Sequence, residues 1–197
     1  MAQIGLRDFY WNGIATEESG SLPTYAAATA STRGGFLIDL IQANVTITYA
    51  DGEAYADDHM VDSMHDFMYA DVDTQHFDIP LDVQAKLFGG EYSGSVLKQS
   101  GSNSAPGIGF GYARTIRKRN SSTNQMETIY RGYFYYKGNA QQQTSESSTT
   151  KQGSVTYNYD SVVFRAVEAD AGGYREVEDF ATLSAYTTWI KGKLNLT

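Results

Sequence analysis

Cysteine is absent from the 197 residues. That excludes disulfides, iron–sulfur clusters and thiol chemistry. No apolar run approaches the length of a membrane helix, and no apolar segment follows a basic N-terminus. The chain is therefore expected to be soluble and made in the cytoplasm. The signatures of common hydrolases are also missing: there is no G-x-S-x-G and no H-E-x-x-H, and a cysteine nucleophile is impossible. Lys and Arg are absent between Asp51 and Asp82, where ten acidic residues and all three histidines fall.

What is present is a chain able to build a core. Hydrophobic residues make up 41% and aromatics 13%, with 15 tyrosines, so disorder is excluded and one domain is expected. The net charge of −8 is unevenly spread. Residues 1–97 carry 15 acidic and 3 basic side chains, a balance of −12, whereas residues 98–197 carry 8 and 12, a balance of +4. From Tyr112 to Lys137 six basic residues stand against Glu127 alone. An acidic surface and a basic surface on one chain allow it to bind a copy of itself; two solvated charged loops are the other reading.

Strand patterns dominate. Residues 4–14, 36–41, 44–50, 108–117, 127–137 and 154–168 are rich in β-favouring residues, several with period-two alternation. Asp51-Gly52 predicts a hairpin turn joining 44–50 to 53–57. Residues 61–69 and 74–79 fit strands less clearly. Pro80 predicts the start of a short helix over LDVQAKLF, with Leu81, Ala85 and Phe88 on one face, Val83 and Leu87 beside it, and Gly89-Gly90 as its stop. Asp179 is expected to cap a C-terminal helix, FATLSAYTTWIKGKL, with Phe180, Leu183, Tyr186 (or Thr187) and Ile190 as its apolar stripe. Residues 25–34 and 139–152 read as loops. The order implies a mainly β fold, a β-sandwich or open barrel of antiparallel strands, with one short flanking α-helix and a C-terminal helix or arm.

Three segments invite chemical readings. AYADDHMVDSMHDF (residues 54–67) holds Asp57, Asp58, Asp62 and Asp66 with His59 and His65. Strand periodicity scatters these over both faces, so no metal, cofactor or catalytic residue is expected there. GIGFG, from Gly107 to Gly111, lacks the G-x-G-x-x-G spacing and reads as a strand where another backbone comes close. RTIRKRN is a basic cluster of Arg114, Arg117, Lys118 and Arg119. In a chain of pI about 4.8 it suits an acidic protein surface better than general DNA binding.

Taken in order, IGLRDFYW, GEAYADD, LFGGEYS after a short helix, PGIGFGYAR, YRGYFYYKG and YNYDSVVFRAV resemble the major tail proteins of long-tailed phages and prophages of Gram-positive bacteria. The nearest group is the phi-thirteen-like family, where LYADD, LLG, GFGF and YKGKF hold similar positions. The resemblance spans roughly residues 1–190. It implies a structural virion protein and not an enzyme: a single tail-tube domain over 1–197 with an N-terminal strand or arm, a long acidic loop or hairpin at about 50–75, a mobile polar loop at about 139–152 and a C-terminal helix or arm at about 179–195. Six copies would form rings that stack head to tail into a hollow tube through which double-stranded DNA passes. The implied partners are copies of itself, the tape measure protein, the tail terminator and distal tail proteins, with no membrane. The implied location is the virion tail, after assembly in the host cytoplasm. Asp57, Asp58, Asp62, Asp66, Asp71 and Asp73 would then form an acidic face, lining the lumen or meeting the next ring. Arg114, Arg117, Lys118 and Arg119 would form a basic contact between subunits. The segments 25–34, 50–75 and 139–152 would order on assembly. The rival readings are a head–tail terminator or tail-tip β-sandwich and a carbohydrate-binding β-sandwich module.

Overall fold

A computed structural model describes residues 2–27, 34–37, 39–56, 59–141 and 159–196. The chain is mainly β, with one large antiparallel sheet, a small hairpin and two short helices. The elements are β1 (Ala2–Thr16), β2 (Thr24–Tyr25), β3 (Gly34–Leu37), β4 (Leu40–Ala56), β5 (His59–His76), α1 (Leu81–Phe88), β6 (Glu91–Ser93), β7 (Val96–Lys98), β8 (Ile108–Arg119), β9 (Met126–Gln141), β10 (Asp160–Val167), β11 (Arg175–Phe180) and α2 (Leu183–Lys193). The sheet runs β2-β1-β8-β9-β10-β5-β4, with β3 beside β1 and β11 beside β9.

The central strands are apolar on both faces, so both need cover. On one face Phe9 and Trp11 of β1, Phe110 and Tyr112 of β8, Tyr135 of β9 and Phe164 of β10 join Val72, Leu37 and the α1 residues Leu87 and Phe88. The rings of Phe9, Phe110, Phe164 and Tyr135 lie 4.8–5.9 Å from their neighbours. Truncating one ring to alanine costs about 3–5 kcal/mol in such a core. On the opposite face Tyr10, Ala113 and Phe134 meet Tyr186, Ile190 and Leu194 of the α2 region. Alternation along each strand thus sends odd and even residues to two different cores.

Two local devices fix α2. Asn12 is fully buried; its side-chain amide donates to the carbonyls of Ala26 (2.6 Å) and Leu194 (2.7 Å), and its oxygen accepts from the Gly13 N–H. A β-bulge at Asp8, whose φ of 44° is left-handed, turns the Asp8 carbonyl to the Tyr186 hydroxyl at 3.0 Å. Small residues then let the helix close on the sheet. A Cβ on Gly111 would stand 2.5 Å from the Tyr133 carbonyl and 2.7 Å from Ile190, and one on Gly132 would meet Tyr186, Trp189 and Phe180. The glycines of GIGFG therefore serve close approach, as the sequence suggests.

Several expectations are corrected. Asp51-Gly52 is no turn: β4 runs straight through it, with Asp51 opposite His65 and Gly52 opposite Met64, and the hairpin closes between Ala56 and His59. A ladder of sixteen paired positions outweighs one two-residue signal. Residues 36–41 are not one strand, because Asp39 (φ 57°) separates β3 from β4. Of the expected face of α1, Ala85 and Phe88 are buried as expected but Leu81 is exposed, and Leu87 is buried with them. Pro80 precedes the helix in an extended conformation, while Gly89 stops it with φ 79° as expected. Asp179 caps nothing; it lies in β11, and the cap of α2 is Thr182, whose hydroxyl accepts from the Ala185 N–H at 3.2 Å. Of the expected loops, residues 28–33 and 142–152 lie outside the described residues; Tyr25 belongs to β2, Gly34 to β3 and 139–141 to β9.

β10 and β11 occupy the same edge of β9 in succession. Val167 pairs with Lys137 and Arg175 with Tyr135, so residues 168–174 leave the edge and rejoin it two residues further along. The loop is pinned by Lys137, which binds Glu17 at 2.5 Å and Asp170 at 3.8 Å.

Two glycine substitutions separate the straight strand from a turn. Gly52→Ala puts its Cβ 3.9 Å from Met64, an ordinary contact, so chemical denaturation is expected to place it within about 0.5 kcal/mol of the parent. Gly111→Ala is expected to lose about 1–3 kcal/mol by displacing α2. A strongly destabilised Gly52→Ala protein would restore the turn.

Candidate assembly surface

The β4–β5 hairpin is longer than the sheet it belongs to. β5 pairs with β10 only from Ala70 to His76, while β4 and β5 stay paired out to Ala56 and His59. The part beyond Tyr69 is an arm of roughly 30 Å at about 3.3 Å per residue. The register shifts between Thr48 and Tyr49, where Met68 is the extra residue. The shift inverts the alternation of β5. Val72 and Ala70 face the core above it, whereas Phe67 does so below it, with His65 further out on the same side of the strand. Phe67 stacks on Tyr174 at 4.1 Å, which seats the base of the arm against the start of β11. Tyr49 stacks on His65 at 4.1 Å, and His65 bonds Asp51. The other face shows Met64 (58% exposed), Asp66 and Met68 (52%) to solvent.

Among the described residues no strand pairs with the outer edge of β4, with β5 between His59 and Tyr69 on its β10 side, or with the outer edge of β11. Each is a row of unpaired N–H and C=O groups that can template another strand.

The acidic residues named from sequence separate into distinct environments. Asp66 is exposed on the arm. Asp71 is engaged within the chain: its carboxylate accepts from Arg165 Nε and Nη2 at 2.8 and 2.9 Å, while Arg165 also lies over Tyr69. Asp73 accepts from Ser161 at 3.3 Å. Asp57 and Asp58 lie outside the described residues, as does the side chain of Asp62, whose backbone pairs with Ala54. No group of three His, Asp or Glu side chains among the described residues is placed to hold a metal. The third histidine, His76, is buried against Phe9.

The basic residues are likewise not one cluster. Lys118 lies 3.7 Å from Glu127 on the neighbouring strand. Arg117 and Arg119 are exposed near the end of β8. Arg114 instead turns inward, its guanidinium 4.9 Å from the Tyr133 ring and 5.7 Å from that of Tyr112, with Nη2 donating to the Tyr112 hydroxyl at 3.3 Å. Arg175, which the sequence reading did not single out, lies over Tyr133 from the other side, at 5.9 Å, and over Tyr174 at 5.4 Å. REVEDF carries no apolar alternation, because Val177 and Phe180 fall on opposite faces, so nothing in its pattern marks β11 or this arginine.

The remaining guanidinium of this face is matched. Arg131 of β9 donates through Nε and Nη2 to Asp179 of β11, its direct cross-strand partner, at 2.6 and 2.8 Å. The Arg131 hydrogen bonds hold the Asp179 carboxyl below the usual carboxylate range. Elsewhere, an open cleft of about 670 Å³ beside α1 is lined by Asp82, Lys86, Tyr92 and Ser104, with Asp82 and Lys86 paired at 3.5 Å.

A depressed folded-state pKa stabilises the fold fully above the ordinary carboxylate range, and that contribution is lost as pH falls below it. Asp179→Asn is therefore expected to cost about 1 kcal/mol near neutral pH, a value limited by exposure of the pair. The cost should shrink as pH falls through the ordinary carboxylate range and vanish only once the paired carboxylate of the folded state is itself protonated. Urea midpoints of both proteins across this range check it; a difference independent of pH would remove the ion pair as the cause.

Comparisons of the chain with protein-family models, with curated proteins and with solved structures give no match.

Proposed function

We propose that the chain is a structural virion protein, the major tail protein of a long-tailed phage. In this reading, copies join into six-membered rings that stack head to tail into a hollow tube. The observation that carries it is the β4–β5 arm: a paired, acidic hairpin that projects past its own sheet and leaves the whole outer edge of β4 without a partner among the described residues. A monomer gains nothing from exposing such an edge, whereas a ring that joins sheets removes it. The ordered sequence resemblance supports the same reading.

The charge pattern fits the role. An acidic wall repels phosphate, so DNA slides along it, while a basic wall would hold DNA through counterion release. A contact between unlike surfaces propagates along an axis, as stacking requires. Partners in this reading are other copies, the tape measure protein, the tail terminator and distal tail proteins, and the place of action is the virion tail.

Purified and concentrated protein is expected to show hollow tubes or six-fold rings by negative-stain electron microscopy. Compact oligomers without a lumen, or a monomer even with a tail-initiating complex present, would favour the terminator or tail-tip role.

A further inference from the structure

We infer that the face made by Arg114, Tyr133 and Arg175 receives the acidic β4–β5 hairpin of a second copy of this chain. The inference deepens the assembly reading and rests on it for the identity of the partner.

The three residues share one face of β8, β9 and β11. Tyr112 pairs with Tyr133, Arg114 with Arg131 and Arg175 with Tyr135 across direct register positions. Two guanidinium groups therefore flank a single tyrosine ring, at 4.9 and 5.9 Å. Ring contact does not occupy the N–H donors of a guanidinium; Arg114 gives one to the Tyr112 hydroxyl and Arg175 lies beside the Tyr135 hydroxyl, and the remaining donors of the fork have no carboxylate among the described residues. Arg131 and Arg165 show what this chain does when a carboxylate is available, because each makes two short hydrogen bonds to one aspartate. Arg114 and Arg175 have no carboxylate within 4.0 Å among the described residues. The Arg114 Nε is buried and lacks any hydrogen-bond partner. A buried charged donor left unpaired is costly. A planar guanidinium selects carboxylate or phosphate.

The occupant follows from charge. The arm shows Asp51 and Asp66 to solvent, and the segment from Asp51 to Asp82 contains no Lys or Arg. Among the described residues of the arm, neither Asp51 nor Asp66 pairs with Arg114 or Arg175. The base of that arm is already fixed by the stack of Phe67 on Tyr174. A second copy supplies the carboxylates. The contact joins two different surfaces, so each copy keeps one free arm and one free face, and growth continues.

A charge swap in the full-length protein tests it. The face variant carries Arg114→Glu and Arg175→Glu; the arm variant carries Asp51→Lys and Asp66→Lys. Sedimentation velocity and electron microscopy are expected to show each variant alone needing about tenfold or more protein than the parent to assemble. An equimolar mixture should assemble again, because each arm then meets a face of opposite charge. Circular dichroism and urea midpoints establish folding. Should Arg114→Glu not fold, Arg175→Glu alone replaces it, with the same rescue expected. Parental assembly by either variant alone, no rescue on mixing, or a parent that stays monomeric overturns the inference. Binding of a short DNA duplex that the face variant loses, without the assembly defect, reassigns the face to phosphate. Tubes formed equally by every variant overturn the contact and leave the tail-tube reading intact. Lumenless oligomers that follow the swap uphold the contact and overturn the tube.

Discussion

Everything in this fold follows from burying both faces of the same three strands. β1, β8 and β9 place Phe9, Trp11, Phe110, Tyr112 and Tyr135 on one side and Tyr10, Ala113 and Phe134 on the other. A flat sheet cannot cover both. The β4–β5 hairpin and α1 close over the first face, and α2 closes over the second. Glycines at 111 and 132, the Asp8 bulge and the Asn12 amide all serve that second closure, bringing α2 down to the sheet and fixing its end. Where cover ends, the sheet changes character. Beyond Tyr112 and Tyr133 the next positions are Arg114 and Arg131, and the face turns from apolar to cationic within one pair of residues.

Much of this was legible in the sequence. The long strands, the mainly β class, α1 with its Gly89 stop and the use of glycine in GIGFG follow from periodicity and elementary backbone rules. The failures share one cause: a local signal met a competitor acting at long range. Asp51-Gly52 has the chemistry of a turn, but the ladder with β5 passes through it. Asp179 has the chemistry of a helix cap, but its carboxylate is held by Arg131, 48 residues away in sequence. The faces of the arm were unreadable for a similar reason, since the extra residue at Met68 inverts alternation there.

The candidate surface was legible as charge but not as geometry. Sequence grouped Arg114 with Arg117, Lys118 and Arg119. In the fold Arg114 alternates inward to join Tyr112 and Tyr133, Lys118 finds Glu127, and Arg175 arrives from a strand the sequence had not disclosed. Likewise Asp71 and Asp73 are used up inside the sheet, which leaves the arm as the place where negative charge is free to act outward. Charge asymmetry along a chain sets which surfaces attract. Which side chains remain available is decided by the pairs made within the fold.

The loop at residues 168–174 has a consequence for how such a chain can diversify. It departs from and returns to one edge of β9 at Lys137 and Tyr135, so its ends stay about one strand repeat apart whatever lies between them. Added length there costs little closure entropy and leaves the register of β10 and β11 untouched. The position is a ready graft point, where whole new modules can be carried on the outside of an otherwise unchanged sheet.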